Sequence, residues 1–171
     1  MPHNFKPSQL LLQDMASATP GTIGWFVSNR QEQAKLIMIV TRQIPGTPEC
    51  VFVELAGEHS FTARRIGNIG RGSHYMLKLP QDDWSVELDD SFRSAGGHGD
   101  MGSLILTDSE TYMSVMLGTS FGETERYFVR LSDFVMDDDW PNGMKSVIGT
   151  WKMVAGDGDR KLVIAESHER D

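Results

Sequence analysis

The sequence predicts an all-β fold, a mainly antiparallel barrel or a two-sheet sandwich, with a short N-terminal helix. Beyond Pro20-Gly21, short apolar runs alternate with turn residues, which is typical of strands. Most neighbouring runs are joined by links too short for a helical crossover, and this favours antiparallel pairing. The run from Leu36 to Val40 is apolar throughout, as expected of a strand covered on both faces.

The elements follow in order along the chain. Ser8 is predicted to cap a helix over residues 9 to 16, which ends before Pro20. Gly156 to Asp159 is predicted to close a hairpin between the last two strands. The polar tail from 166 to 171 buries nothing and is predicted to fray. The predicted strands are 22 to 28, 35 to 42, 50 to 56, 60 to 66, 73 to 79, 84 to 88, 103 to 107, 112 to 117, 126 to 131, 147 to 154 and 161 to 165.

The length and composition are those of one globular domain. The 171 residues predict a single β-rich domain over 1 to 171, with 1 to 20 as the helix and its lead-in. The apolar run from Leu10 to Leu12 is too short for a signal peptide or a membrane span. The chain has one cysteine, Cys50, so no internal disulfide can form, and a buried, inert thiol is predicted. A cytoplasmic location is therefore expected, without membrane attachment.

Charge is distributed unevenly along the chain. Residues 1 to 80 hold eight Lys and Arg against five Asp and Glu, whereas residues 81 to 171 hold eight against nineteen. The net charge of −8 is the opposite of what a nucleic-acid-binding domain normally carries, so nucleic acid is not expected as a partner. An acidic surface of this kind mainly favours solubility.

The segment from Gly118 to Gly122 matches the G-x-S-x-G pattern of a serine-hydrolase nucleophile elbow, with Ser120 as the nucleophile. That elbow needs a strand before the serine and a helix after it. Residues 126 to 131 alternate as a strand, so residues 118 to 125 are predicted to connect a hairpin instead. No catalytic residue is assigned here.

A basic, glycine-containing loop over 64 to 74 is a candidate anion-binding site. It carries Arg64, Arg65, Arg71 and His74, and guanidinium groups beside glycine amides suit a phosphate or a carboxylate. A strand follows the loop, so it fits neither the P-loop nor the dinucleotide motif, both of which need a helix there. The alternative is a surface turn with solvated arginines.

The glycine-rich loop over 96 to 102 adds His98 and Asp100 to this candidate site. An imidazole and a carboxylate two residues apart supply too few ligands for a metal, and the other histidines show no matching spacing. A solvated connection is the competing interpretation.

The acidic run from Asp137 to Asp139 has the carboxylates that calcium prefers. An EF-hand loop needs glutamate at its twelfth position, where this chain has Ile148, so that motif is excluded. An irregular calcium loop remains as the alternative to the favoured interpretation, a solvated turn with Trp140 folded onto the core.

The sequence assigns the chain to no family. The leading hypothesis is a non-catalytic binding module, which contacts either a protein partner through a sheet edge or a small ligand in a cleft. The alternative is a small-molecule or anion carrier, or an enzyme, with a composite site from the 64 to 74 and 96 to 102 loops. A third hypothesis is assembly into a homo-oligomer through oppositely charged surfaces. No cofactor or metal is assigned, and a non-enzymatic role is favoured.

Overall fold

The computed structural model describes residues 11–26, 34–69, 74–79, 84–88, 99–118, 123–156 and 162–167. These residues confirm the predicted all-β class. Six strands close into a barrel, further strands extend its sheet on two sides, and three strands form a second sheet. The fold therefore combines both predicted architectures, a barrel with a second sheet against it.

The strands are short, and most lie where apolar runs predict them. β3 has the predicted bounds, 35 to 42. The strands are β1 (Leu11–Asp14), β2 (Ile23–Phe26), β3 (Lys35–Arg42), β4 (Glu49–Glu54), β5 (Thr62–Arg65), β6 (Tyr75–Lys78), β7 (Trp84–Glu87), β8 (Leu104–Leu106), β9 (Thr111–Gly118), β10 (Thr124–Arg130), β11 (Val135–Asp137), β12 (Ser146–Ile148), β13 (Trp151–Ala155) and β14 (Leu162–Ser167). Two 3₁₀ turns, Met15–Ser17 and Ile66–Ile69, follow β1 and β5.

The barrel is closed by strands in the order β3, β4, β5, β9, β10, β11 and back to β3. The β5–β9 and β11–β3 pairs are parallel, and the other four pairs are antiparallel. Because four of the six pairs are antiparallel, each opening of the barrel is surrounded by carboxyl ends of some strands and amino ends of others. Arg42 at the end of β3 lies opposite Glu49 at the start of β4, and Arg65 ends β5 beside them.

Both faces of β3 are buried, as its uninterrupted apolar run predicts. Met38 and Val40 belong to the main core, which fills the barrel and continues under the second sheet. Ile37 and Ile39 face outward into a smaller core that includes Phe52 and Met76. Alternate side chains along the strand therefore contact two different cores. The position of a polar residue in this alternation determines which face of the sheet it lies on.

Strands outside the barrel extend it in two directions. β2, β6 and β1 continue the sheet from β3, and β8 and β12 continue it from the first half of β9. The second sheet has the order β14, β13, β7. The predicted hairpin is confirmed, because β13 and β14 pair antiparallel with Ala155 opposite Leu162. Glu166 and Ser167 are paired residues of β14, so they are not frayed as predicted, and 168–171 lie outside the described residues.

The predicted helix over 9 to 16 is wrong for the residues that the structure describes. Leu11–Asp14 form a strand that pairs with β6, Leu12 opposite Leu77. The Asp14 side chain then accepts a hydrogen bond from Ala16 N at 2.9 Å, which caps a single 3₁₀ turn. Three consecutive leucines suit a strand as well as a short helix, and pairing with β6 decides between the two.

Two further segments remain to be compared with the sequence. The length of the segment from 133 to 137 does not decide for or against a short helical turn, and in the structure it contains β11 beside β3 and β10. The predicted strand over 147 to 154 is divided at Gly149-Thr150 into β12, which pairs with β8, and β13, which belongs to the second sheet. In both cases the partner strands are distant in sequence, so local patterns contain little information about the pairing.

Within the described part of the chain, no helix has the length and apolar character needed to span a membrane.

Candidate functional site

Charged side chains collect at one opening of the barrel. Val40, Val51 and Ala63 face the main core, so Arg42, Glu49 and Arg65, each two residues away on β3, β4 and β5, lie on the same side. Tyr127 of β10 faces the same core, and Glu125 lies two residues before it. These five residues, Arg42, Glu49, Arg65, Glu125 and Tyr127, are called the barrel mouth below.

Arg42 spans the opening. Its Nη2 donates a hydrogen bond to Tyr127 Oη at 2.5 Å, and its Cζ lies 4.9 Å from the centre of the Tyr127 ring. β11 separates β3 from β10 in the sheet, so this contact crosses the barrel interior rather than following a neighbouring strand. A guanidinium at this distance from a ring is attracted by the negative face of the π system.

Glu49 lies between two guanidinium groups. Its Oε2 is 3.5 Å from Arg42 Nη1 and 3.6 Å from Arg65 Nε. Charge-assisted hydrogen bonds between nitrogen and a carboxylate oxygen are normally about 2.7–2.9 Å long. One carboxylate oxygen therefore serves two arginines, and both contacts are long.

Arg65 Nε is buried and has no hydrogen-bond partner. Within the described part of the chain it shares this property with Ser114 Oγ alone among buried side-chain nitrogen and oxygen atoms. Buried polar groups are normally hydrogen-bonded, so an unsatisfied donor calls for an explanation. Here the donor belongs to a positively charged group that is 32% exposed at the barrel mouth, where a solute can approach it.

The Tyr127 hydroxyl connects Arg42 to Glu125. It accepts from Arg42 and donates to Glu125 Oε2 at 3.2 Å. Burial raises the pKa of Tyr127, and the positive charge of Arg42 lowers it in part. The hydrogen bond to Glu125 and the negative charges of Glu125 and Asp138 raise the pKa further. Because its pKa is raised, the phenol stays protonated at neutral pH and acts as a hydrogen-bond donor.

Because the pKa of Tyr127 is raised in the folded protein, the free energy of unfolding is expected to depend on pH. Its pKa is higher in the folded state than the unfolded value of about 10, so the unfolded chain loses this proton first as pH rises. The phenol therefore makes its full contribution to the free energy of unfolding below about pH 10. That contribution is lost as the pH rises through the pKa that Tyr127 has in the folded protein. We expect urea-unfolding midpoints of the wild type and Tyr127→Phe to converge above about pH 10. Tyr75→Phe, at a tyrosine that is 46% exposed, is the control, and a constant difference for Tyr127→Phe would contradict the prediction.

The predicted site residues are divided among several places. Arg64 and Arg65 are neighbours on β5, so they point to opposite faces, and Arg64 Nε donates to Glu54 Oε1 at 2.6 Å on the outer face. The His74 ring contacts Phe26 edge-on, with centroids 6.5 Å apart. Asp100 is exposed, and its backbone carbonyl accepts from Ser103 N at 3.1 Å.

Arg71 and His98 lie outside the described residues, so their part of the predicted composite site stays a prediction. Of the predicted residues, Arg65 belongs to the barrel mouth, and its neighbours there were not predicted. Alternation offered a signal for two of them, since Arg42 continues the inward series of Met38 and Val40, and Glu49 precedes that of Val51 and Val53.

The remaining sequence candidates lie elsewhere. β9 and β10 pair antiparallel from Gly118 and Thr124, which confirms a hairpin connection, while Ser120 lies outside the described residues. Cys50 is half-buried, with Sγ 3.5 Å from the Met15 carbonyl oxygen. Burial, and then the negative charges of Asp14 and Glu49, raise the pKa of this thiol, which makes it a poor nucleophile.

The acidic run forms an exposed turn. The carboxylate oxygens of Asp137, Asp138 and Asp139 lie within 4.8 Å of one another, and Asp139 N donates to Asp137 Oδ1 at 3.1 Å. Trp140 packs edge-on against Phe128 with centroids 4.8 Å apart, which confirms that it folds onto the core. The turn itself is a common arrangement of Asp side chains with their own backbone.

Comparison of the chain with models of known protein families finds no match, and comparisons with curated proteins and with solved structures find none either.

Proposed function

We propose that this protein is a non-catalytic binding protein that takes a small anionic molecule at the barrel mouth. The observation that carries the proposal is the Arg65 Nε–H, a buried donor on a charged group with no hydrogen-bond partner. A ligand carboxylate or phosphate would supply the missing acceptor once the Arg65 side chain, which is 32% exposed, turns toward the opening. An unsatisfied donor of this kind costs stability in the free protein, and that cost is recovered when a ligand binds.

The charges around Arg65 support an anion. β3, β4 and β5 bring two guanidinium groups to one carboxylate, while the second carboxylate of the mouth, Glu125, accepts a hydrogen bond from Tyr127. Guanidinium groups are planar and bind carboxylate or phosphate with two parallel hydrogen bonds. The long contacts to Glu49 leave donors of Arg42 and Arg65 available for such a pair.

The chemistry of the mouth supports binding rather than catalysis. The raised pKa of Tyr127 keeps its proton in place at neutral pH, so the phenol orients Arg42 and Glu125 instead of exchanging protons with a ligand. This proposal combines the leading sequence hypothesis, a non-catalytic binding module, with the alternative of an anion carrier. A cytoplasmic location belongs to the same proposal, since small carboxylates and phosphates are abundant there.

Titration of ¹⁵N-labelled protein with succinate and with inorganic phosphate tests the proposal. The readout is the Arg Nε–Hε region of the NMR spectrum, where burial of Arg65 Nε protects its proton from exchange. We expect a saturable shift of the Arg65 signal with at least one of the two anions. Arg65→Lys should weaken binding about tenfold or more, because a lysine has no planar pair of donors.

Two variants sharpen the result. Glu49→Gln should strengthen anion binding, because it removes the carboxylate that competes for both arginines. Arg64→Lys is the matched control, since it makes the same change one residue away on the opposite face. The proposal fails if neither anion gives a saturable shift at millimolar concentration, or if Arg64→Lys weakens binding as much as Arg65→Lys does.

A further inference from the structure

The barrel mouth carries different charges on its two sides. The side formed by β3, β4 and β5 holds both guanidinium groups, Arg42 and Arg65, with Glu49 between them. The side formed by β10 holds a carboxylate, Glu125, and β9 alone separates β10 from β5 in the sheet. A molecule that enters the mouth therefore meets cations on one side and a carboxylate on the other.

Asp138 adds a second negative charge on the side of Glu125. It follows directly after β11, which runs parallel to β3 with Met136 opposite Arg42. β11 therefore ends at the same opening as β3. The negative charge of Asp138 contributes to the raised pKa of Tyr127, as expected from a carboxylate near the phenol.

Glu125 and Asp138 are not paired with cations. Within the described part of the chain, no lysine or arginine forms an ion pair with either carboxylate, and Glu125 has only the hydrogen bond from the neutral Tyr127 phenol, at 3.2 Å. Both side chains are exposed. Their negative charges are therefore accessible to a positive group of a ligand, in contrast to the charge of Glu49, which two arginines share.

The charges of the whole mouth favour a ligand with a positive group beside its negative one. Two guanidinium groups lie near three carboxylates here. An anion without a positive group is attracted by Arg65 but repelled by Glu125 and Asp138. An ammonium group on the same molecule converts this repulsion into attraction, so the two sides together select for both charges.

We propose that the ligand of the barrel mouth is a small anion that also carries an ammonium group, as an amino dicarboxylic acid does. This inference rests on the anion site proposed above: the carboxylate of the ligand binds Arg65, and its ammonium group binds Glu125. Neighbouring strands are about 4.8 Å apart, so β5 and β10 are separated by about 10 Å at most. Two long side chains that reach inward leave room for a ligand only a few bonds in length.

Two pairs of compounds that differ by one ammonium group test the inference on the wild-type protein. Succinate is compared with L-aspartate, and ethyl phosphate with 2-aminoethyl phosphate, by titration monitored at the Arg65 Nε–Hε signal. We expect the amine-bearing compound of at least one pair to bind about threefold or more tightly, a preference that added salt reduces because Glu125 is exposed. If neither amine binds more tightly than its partner, the inference is wrong and the anion site stands. If none of the four compounds gives a saturable shift, both proposals are wrong.

A variant of Glu125 separates its charge from its structural role. Glu125→Gln retains an oxygen that accepts from Tyr127, so it should abolish the preference for the amine and raise the affinity for succinate, because it removes a repelling charge. Weaker binding of both succinate and aspartate would show that Glu125 only positions Tyr127 and Arg42, which contradicts the inference.

Glu58→Gln is the matched control. It removes the same charge from an exposed residue between the end of β4 and the start of β5, at the opposite opening of the barrel, and should retain the preference. An equal loss of preference in Glu58→Gln would mean that the net charge of the protein, and not Glu125, discriminates between the compounds. If Glu125→Gln does not fold, Asp138→Asn on the exposed turn decides, since it should also reduce the preference.

Discussion

Trp151→Ala is expected to lower the free energy of unfolding by about 3–5 kcal/mol, the range for removing a fully buried large aromatic side chain. Trp151 of β13 is 1% exposed, and its ring centroid lies 5.7 Å from that of Phe61, just before β5. Its Nε1 donates to the Gly102 carbonyl oxygen at 2.7 Å. One side chain therefore connects the second sheet, the barrel and the segment leading to β8.

The surroundings of Trp151 cannot close around the space that it leaves. Phe61 has a positive φ of 62°, and its N–H donates to Glu54 O at 2.6 Å. Gly102 has a positive φ of 82°, and a Cβ there would lie 2.3 Å from the Phe61 ring. Both neighbours are fixed by their backbone, so the cavity in Trp151→Ala stays open and the full cost is expected.

Urea unfolding monitored by circular dichroism measures the change. Trp151→Phe separates the two contributions, because it keeps most of the apolar contact and removes the donor to Gly102; a loss of about 1–3 kcal/mol is expected. Trp140→Ala is the control at a half-buried tryptophan and should cost less than Trp151→Ala. A loss below that of Trp140→Ala would show that Trp151 does not join the two sheets.

Local sequence patterns predicted those strands well that are long and have many buried side chains. β3 is apolar on both faces because each face meets a separate core, and its bounds were correct. β9 and β10 alternate between the main core and a surface or minor core, and their pattern identified both strands and the hairpin between them. In these strands the local sequence and the tertiary environment require the same residues.

The errors fall where a strand is short and its partner is remote. β1 has four residues, and only its pairing with β6 distinguishes it from one turn of helix. β11 has three residues and pairs in parallel with β3, more than ninety positions earlier in the chain. A local window contains neither partner, so period and propensity alone do not decide such elements.

The barrel mouth was predicted only through Arg65, because it is formed by closure of the barrel. Arg42 and Tyr127 are 85 positions apart in sequence and meet across the interior. Their contact follows from the strand order, in which β11 alone lies between β3 and β10, and strand order is not visible in the sequence. By contrast, Arg64 beside Arg65 suggested one basic loop, although strand alternation directs the two side chains to opposite faces.

Glu54→Ala is expected to lower the free energy of unfolding by about 3 kcal/mol, near the lower limit for breaking a buried ion pair. Glu54 is 2% exposed on the outer face of β4, and its carboxylate accepts from Lys35 Nζ at 2.7 Å and from Arg64 Nε at 2.6 Å. The carboxylate compensates two cations on the neighbouring strands β3 and β5. Without the Glu54 carboxylate, the two cations repel each other beside the outer core. Lys35 is 20% exposed and Arg64 is 47% exposed, so water compensates part of the lost interaction energy.

Three variants measured by urea unfolding distinguish the charge of Glu54 from its packing. Glu54→Gln keeps the shape and removes the charge, so it should account for most of the loss. Glu49→Ala is the matched control on the same strand, because Glu49 is 27% exposed and its contacts to Arg42 and Arg65 are 3.5 Å and 3.6 Å long; we expect a loss of about 1 kcal/mol or less. If Glu54→Gln were neutral and Glu54→Ala costly, packing and not charge would hold β3, β4 and β5 together at this face. If Glu49→Ala cost as much as Glu54→Ala, the barrel mouth would be a structural ion-pair cluster, and the anion site proposed there would lose its main support.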